Sequence, residues 1–557
     1  MYRTDALAFP RDLGFHSHSM ASSTADRRER VALHLLQLGV LAAVLVALPY
    51  KTFDLDRFFV PKELVLHATA VGAALFCLGG RRRLSLTGAD LFLAAFLGLS
   101  ALSALFAQNW WLAGRAVAIS ISGALLFWVG LALRRAGLQR QVVTAIALAV
   151  VAGAVTALIQ AYAGTPTDLF SLNRAPGGTF GNRNFMAHLA AIGTPAVVIA
   201  ALSARTRAGF FFGAIGSVML AAALVLSRSR AAWLALIAAA IVIAGVAILA
   251  RVSISGGRTW GRLRVLALAA ALGAIASAFL PNRLEWKSSS PYLDSVRGVV
   301  NYKEGSGAGR LVQYTTSLDI ALASPLLGVG PGNWSVVYPK FADRRDPSLS
   351  NAGGMTDNPW PSSDWVAFVS ERGLVATGFL LLALGALVLR ALRALKGARQ
   401  AADFERATAA LMLIGTIVTT IVVGLFDAVL LIAVPTMFMW LLVGVLSPPV
   451  PEGQRVLGKG VHDFGPVVLV LYGLIAVARS STQIAAMSTY NAASRLSTIE
   501  RAATYDPGSY RIRMRLAEGF VARGDCAKAI AHARAARKAY PNAADPRRVL
   551  SRCGVKV

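Results

Sequence analysis

The sequence predicts an all-α polytopic membrane protein, and three observations carry that prediction. Of 557 residues, 56% are hydrophobic and only 15% are charged. The mean hydropathy is +0.57. Apolar runs of the length a spanning helix needs, about 20 residues, recur from residue 33 to about 485, separated by short polar or arginine-rich breaks. The formal net charge of +28 would point to nucleic acid in a soluble chain. Here the basic residues are spread over many membrane-flanking loops, so they set orientation, and nucleic acid is not an expected partner.

The first 30 residues are polar, with arginines and no apolar core or small-residue cleavage site, so they read as a cytosolic tail, 1–32, and not as a cleaved signal peptide. The membrane domain, 33–485, divides into spans at about 33–50, 64–79, 89–106, 115–133, 142–163, 185–203, 209–226, 231–250, 263–280, 365–389, 409–427, 429–447 and 465–485, giving 12 to 13 transmembrane helices. Alternate loops carry Arg81, Arg82 and Arg83; Arg134, Arg135 and Arg140; Arg205 and Arg207; Arg251, Arg258, Arg262 and Arg264; and Arg390, Arg393, Lys396 and Arg399. The positive-inside rule makes these loops cytoplasmic and the N-terminus inside. The large loop at 281–364 holds eight Lys or Arg and eight Asp or Glu, a balance that suits the outer side.

Parity puts "SRSRAAWLAL" (227–236) outside as well. Arg228 and Arg230 then are not positive-inside anchors, and they have no acid near them in sequence. An uncompensated arginine at membrane depth costs at least a few kcal/mol, so this pair asks for an anionic partner outside the chain.

After the last span the composition becomes charged and Ala-rich. Pro507 of "YDP" and Pro541 of "AYP" lie 34 residues apart, with Gly524-Asp525 at a turn and Ala529, Ala533 and Ala536 at helical spacing. This is the tetratricopeptide period, in a segment, 486–557, with room for one or two repeats; an ordinary helical hairpin is the alternative. The odd number of spans places the segment outside, in a periplasm if the cell has one. Cys526 and Cys553 lie in it; they either pair as a disulfide closing the hairpin, if the compartment is oxidising, or remain half-buried thiols. Cys77 lies within a span as a small apolar residue.

Three outer stretches could hold chemistry. "LNRAPGGTFGNRNFMAH" (172–188) offers flexible glycine backbone beside Arg174, Asn182, Arg183 and Asn184, suited to an anion or a sugar and equally to a plain turn. In "GSGAGRLVQYTTSLDIALASPLLGVGPGNW" (305–334), Arg310 opens an amphipathic helix with Tyr314, Leu318 and Ala321 on one face, and "SPLLGVGPGNW" breaks it. "NPWPSSDWVAFVSERG" (358–373) brings Trp360 and Trp365, which suit an interface. Its acids, Asp364 and Glu371, are either helix-start charges with local pairing to Arg372 or a base at the membrane surface. His188, alone within a span, reads as a satisfied buried histidine. The chain has no Walker loop, HExxH or GxSxG. If no metal takes part, a diphosphate must be neutralised by arginines, whose planar, permanently charged heads bind phosphate in bidentate fashion. Arg183, Arg228, Arg230 and Arg310 would do this if the loops converge.

In order and spacing over about 172–376, the stretches "GTFGNRNFMAH", "SRSRAAWLAL", "AGRLVQY" followed by "SPLLGVGPGNW", and "SERGLVA" resemble the O-antigen ligase and polymerase family. The resemblance implies a GT-C type membrane fold that moves a glycan from an undecaprenyl-diphosphate donor on the outer face of the inner membrane. Such transfer is inverting, with neither metal nor cofactor. It also implies that Arg228 or Arg230, together with Arg310, binds the donor diphosphate, with Arg174, Arg183, Asn184, Ser362 and Glu371 around the substrate. One departure stands out. Ligases of this family show a histidine followed by asparagine nine residues before the glutamate matching Glu371; here these positions are Ser362 and Ser363. That histidine is taken as the base, worth about 10²- to 10⁴-fold in rate, and Asp364 is the expected substitute.

The expected partners are the lipid-linked donor, the membrane, and an acceptor that is lipid A core, a growing glycan or a protein. A further protein partner would be held by the C-terminal segment. Two other classes remain: a flippase or transporter of the same lipid, and a non-catalytic assembly subunit. Transporters tend to carry internal repeats and mid-membrane charges, whereas the polar residues here gather in outer loops.

Overall fold

The computed structural model describes residues 25–50, 56–78, 86–163, 174–251, 257–286, 288–298, 305–343, 345–349, 355–400, 403–449 and 459–556. The N-terminal tail to residue 24, the run Arg81 to Arg83 and residues 172 and 173 of the glycine-rich stretch lie outside these. Among the described residues the secondary structure is helical, apart from one isolated bridge between Leu349 and Thr356.

The helix α1 (Arg27–Leu45) begins six residues before the apolar run that predicts it. The cause is a capping box: Asp26 Oδ1 accepts the Glu29 N–H at 3.0 Å, and Glu29 Oε2 accepts the Asp26 N–H at 3.1 Å. Then come α2 (Val60–Leu78), α3 (Gly88–Leu105), α4 (Trp110–Arg135), α5 (Gln139–Tyr162), α6 (Arg183–Leu202), α7 (Arg207–Ser227), α8 (Arg230–Leu249) and α9 (Gly257–Phe279). The large loop carries α10 (Pro291–Arg297), α11 (Gly305–Ala323) and α12 (Trp334–Phe341). The membrane domain finishes with α13 (Asp364–Gln400), α14 (Phe404–Phe426), α15 (Ala433–Leu446) and α16 (Lys459–Asn491). Among the described residues eleven helices, α2 to α9, α13, α14 and α16, are long and apolar enough to cross a membrane. With α1, whose first turn is charged, and the shorter α15, they account for each apolar run read from the sequence.

All 14 residues of α15 are buried, as befits a helix apolar all round. It sits at the centre of the bundle against α4, α14, α6, α2 and α5. Its approach to α4 depends on small residues: a Cβ on Gly444 would stand 2.2 Å from the Phe127 carbonyl oxygen, and one on Gly130 would stand 2.9 Å from that of Leu441.

At one end of the bundle the large loop folds back on itself. α11 ends at Ala323, where "SPLLGVGPGNW" turns, and α13 is broken at Gly373, with φ 80° and ψ 168°. The two breaks interlock. A Cβ on Gly373 would lie 2.1 Å from the Leu326 carbonyl oxygen, and one on Gly328 would lie 2.3 Å from the Glu371 carbonyl carbon. Only glycine fits both the positive φ and the closeness.

The C-terminal domain, α17 (Leu496–Tyr505), α18 (Tyr510–Val521), α19 (Cys526–Ala539) and α20 (Ala544–Arg552), packs consecutive helices around Leu496, Ile512, Leu516, Phe520, Ala533 and Leu550. Cys526 and Cys553 form a disulfide, with Cα atoms 5.5 Å apart, joining the start of α19 to the end of α20. The domain is seated on the same end of the bundle as the large loop. Trp111 Nε1 donates to Asp506 Oδ1 at 2.7 Å, Asn109 Nδ2 to the Ala539 carbonyl at 3.4 Å, and Asn542 Nδ2 to the Val336 carbonyl at 3.3 Å.

Candidate functional site

At this end of the bundle lies a cavity of about 1080 Å³. The loops that meet there come from distant parts of the chain, and every loop brings side chains to it: Asp56 before α2, Arg174 before α6, Arg228 between α7 and α8, Arg310 on α11, Asp427 after α14 and Tyr510 on α18.

Five of the predicted arginines line it: Arg174, Arg183, Arg228, Arg230 and Arg310. Arg174 lies at φ 60°, and its carbonyl accepts the Arg183 N–H at 2.9 Å, which draws the two ends of the glycine-rich stretch together. Asn182 caps α6 by accepting the Asn184 N–H at 2.9 Å, so Arg183 and Asn184 start the helix at the cavity. Lys62 anchors the same stretch from below, donating to the Thr179 carbonyl at 2.7 Å.

Arg228 ends α7 in the left-handed region, φ 51°, and its NH1 donates to the Pro291 carbonyl at 3.3 Å while the guanidinium lies 4.1 Å above the Trp286 ring. Burial pulls its pKa below the usual arginine range. Arg230 NH1 donates to the Gly298 carbonyl. Backbone carbonyls and a ring orient these two heads. Arg310 is half-buried on the cavity wall with no hydrogen bond or ion pair among the described residues. Arg115 is different: its Nε donates to both carboxylate oxygens of Glu63 at 2.9 Å, so its charge is already matched.

The predicted acids are placed elsewhere. Asp364 is fully buried, and its carboxylate accepts the backbone N–H groups of Val429, at 2.9 Å, and Leu430, at 2.9 and 3.0 Å, from the α14–α15 turn. It is not among the residues that line the cavity. Glu371 is likewise buried, accepting from the N–H groups of Gly332 and Trp334; Arg372 is sandwiched between the rings of Phe96 and Phe368. Neither acid is a free helix-start charge: both bind backbone. Ser362 does line the cavity, held by its N–H to Gln313 Oε1 at 2.6 Å and by its carbonyl to the Tyr314 hydroxyl at 2.8 Å.

Two groups that the sequence did not single out for chemistry meet on the arginine-bearing wall. Asp427 caps the C-terminus of α14 and lines the cavity, with its Oδ2 3.9 Å from His188 Nε2. The same His188 nitrogen is 3.5 Å from Ser229 Oγ, which stands between Arg228 and Arg230. His188 is buried as expected, but its Nδ1 has no hydrogen-bond partner. The sequence signal for Asp427 was available: a lone acid in the short break between two apolar runs. Nearby, the rings of Phe59, Phe185 and Trp360 cluster on the cavity, with Phe59 and Trp360 5.3 Å apart.

For a metal, the sequence offers Asp54 and Asp56, an Asp-x-Asp pair. Asp54 lies outside the described residues, and Asp56 is 3.8 Å from Arg511. Among the described residues no three His, Cys, Asp or Glu gather in a way that would hold a metal ion.

Comparison with known families matches residues 215–381 to the O-antigen ligase family. No curated protein matches the chain. The matched stretch takes in Arg228, Arg230, Arg310, Ser362, Asp364 and Glu371, while Arg174, Arg183 and Asn184 precede it yet line the same cavity.

Proposed function

We propose that this chain, whose residues 215–381 match the O-antigen ligase family, is a glycosyltransferase of cell-surface polysaccharide assembly that draws on an undecaprenyl-diphosphate-linked glycan. One observation carries this: Arg174, Arg183, Arg228, Arg230 and Arg310, from three separate segments, line one cavity at the end of a membrane-crossing bundle. Cations gathered from distant loops, one of them without a partner among the described residues, suit a multiply charged anion.

In the mechanism that follows, the donor diphosphate lies against Arg228, Arg230 and Arg310, and the isoprenoid tail runs down between helices. The acceptor hydroxyl gives its proton to Asp427, and its oxygen bonds to the anomeric carbon from the face opposite the diphosphate. The anomeric C–O bond breaks with its electron pair passing to the diphosphate oxygen, whose charge the arginines stabilise, and the configuration inverts. Asp427 takes the role because it is on the cavity and is linked through His188 to Ser229, inside the arginine pair. Asp364, whose lone pairs are taken by backbone N–H groups, holds the α14–α15 turn in place instead. The disulfide and the charge pattern of the loops support an oxidising, outer location for the cavity face, with the arginine-rich loops of the other face in the cytoplasm.

Deletion of the gene, with analysis of surface glycans and of the lipid-linked pool, tests this. Long polymer held on the lipid carrier indicates a ligase or a protein-directed transferase, and single repeats on the acceptor indicate a polymerase. No change in either pool refutes glycosyl transfer.

A further inference from the structure

The cavity has a second wall that the arginines do not occupy. It is formed by Asp506, Gly508, Ser509, Tyr510, Arg511 and Tyr540 of the C-terminal domain, together with Gln483 near the end of α16. The domain is fixed there by Trp111 and Asp506, by Asn542, and by the ion pair of Arg511 with Asp56. It is therefore part of the site and not an appendage.

The chemistry of this wall differs from that of the arginine wall. Arg511 is paired with Asp56, and the Asp506 carboxylate is held by the neutral Trp111 indole N–H, so this wall leaves no unmatched positive charge for a phosphate. Two neutral polar atoms are left over instead: the Tyr510 hydroxyl and Gln483 Oε1 are buried with no hydrogen-bond partner among the described residues. Such groups are costly to leave unpaired. On the same wall the Tyr510 and Tyr540 rings pack edge-to-face with centroids 5.1 Å apart. A phenol that can donate, an amide oxygen that accepts, and aromatic surface lining the same cavity are what a sugar ring can use, since each of its hydroxyls donates and accepts and its C–H face is apolar.

We infer that the C-terminal helical domain forms the acceptor wall of the cavity, where Tyr510 and Gln483 bind hydroxyls of an acceptor saccharide beside the Tyr510 and Tyr540 rings. This rests on the glycosyl-transfer function above and adds to it the class of acceptor, a carbohydrate, and the residues that select it.

The test uses the full chain in lipid nanodiscs, with lipid-linked glycan extracted from a gene-deleted host as donor and the envelope glycan fraction of that host as acceptor. Tyr510→Phe keeps the ring and its packing and removes only the hydroxyl; Gln483→Ala removes the amide oxygen. Each should raise the half-saturating acceptor concentration about tenfold, leaving kcat and the donor KM unchanged. Arg310→Ala is run alongside. If Arg310→Ala abolishes transfer while both other variants keep the parental acceptor KM, this inference is overturned and the glycosyl-transfer function stands. If Arg310→Ala transfers at the parental rate, both fall.

Discussion

The carboxylate of Glu371 accepts the backbone N–H of Trp334 at 3.1 Å and that of Gly332 at 2.8 Å. One side chain at the break of α13 thereby holds the turn that leads into α12. Its loss leaves two buried donors without partners, a cost of about 2–4 kcal/mol. Glu371→Ala should lower the melting temperature of the detergent-solubilised chain markedly, and Glu371→Gln, which keeps one acceptor, should lie between the two. A Glu371→Ala variant with parental melting temperature but no transfer would instead make Glu371 a group that acts on substrate.

Arg310 has no partner among the described residues, so its removal disturbs little else. Arg310→Ala should reduce transfer by at least about 100-fold while the chain inserts and melts as before. Arg310→Lys, which keeps the charge but loses the bidentate head, should recover only part of the rate. Product release from a lipid-linked donor is the measurement.

The two aspartates are separable. Asp427→Asn should lower kcat by about 10²- to 10⁴-fold without loss of folded protein. Asp364→Asn keeps one of two carboxylate oxygens that hold Val429 and Leu430, so its effect should fall on melting temperature, with kcat of the folded fraction retained. The opposite pattern would return the base to Asp364.

Chelation tests the role of the arginines directly. Asp56 is engaged by Arg511, so transfer should proceed at an unchanged rate in EDTA. A loss of rate restored by magnesium would give the diphosphate to the Asp54 and Asp56 pair and reduce the arginines to a supporting part.

The membrane architecture was legible because apolar runs of spanning length leave few choices, and the thirteen runs all recur as helices. The edges were less so: local caps such as Asp26 with Glu29 set them, and hydropathy does not register these. The arginines that converge were legible too, as cations on the side of the bundle where loop charges balance have no orientation role to play. The acids were not. Asp364 suggested itself by lying two residues from Ser362, but what decides its part is the α14–α15 turn 65 residues away, whose N–H groups close over it. Asp427 and His188 are 239 residues apart in sequence and meet only because α6 and α14 pack together. Tyr510 and Gln483 gave no signal, since nothing in a charged, Ala-rich tail or in the last turns of an apolar span says which face turns toward a membrane cavity.

A cavity whose walls run from Asp56 to Tyr540 has a consequence for how the protein comes into being. The arginine wall exists once the large loop has been made, yet the enclosure is complete only when the last helices have been made and have settled on Trp111 and Asn109. A partly synthesised chain therefore carries its cluster of cations without the wall that closes over it, and the order of translation itself leaves the cavity open until the C-terminal helices are in place.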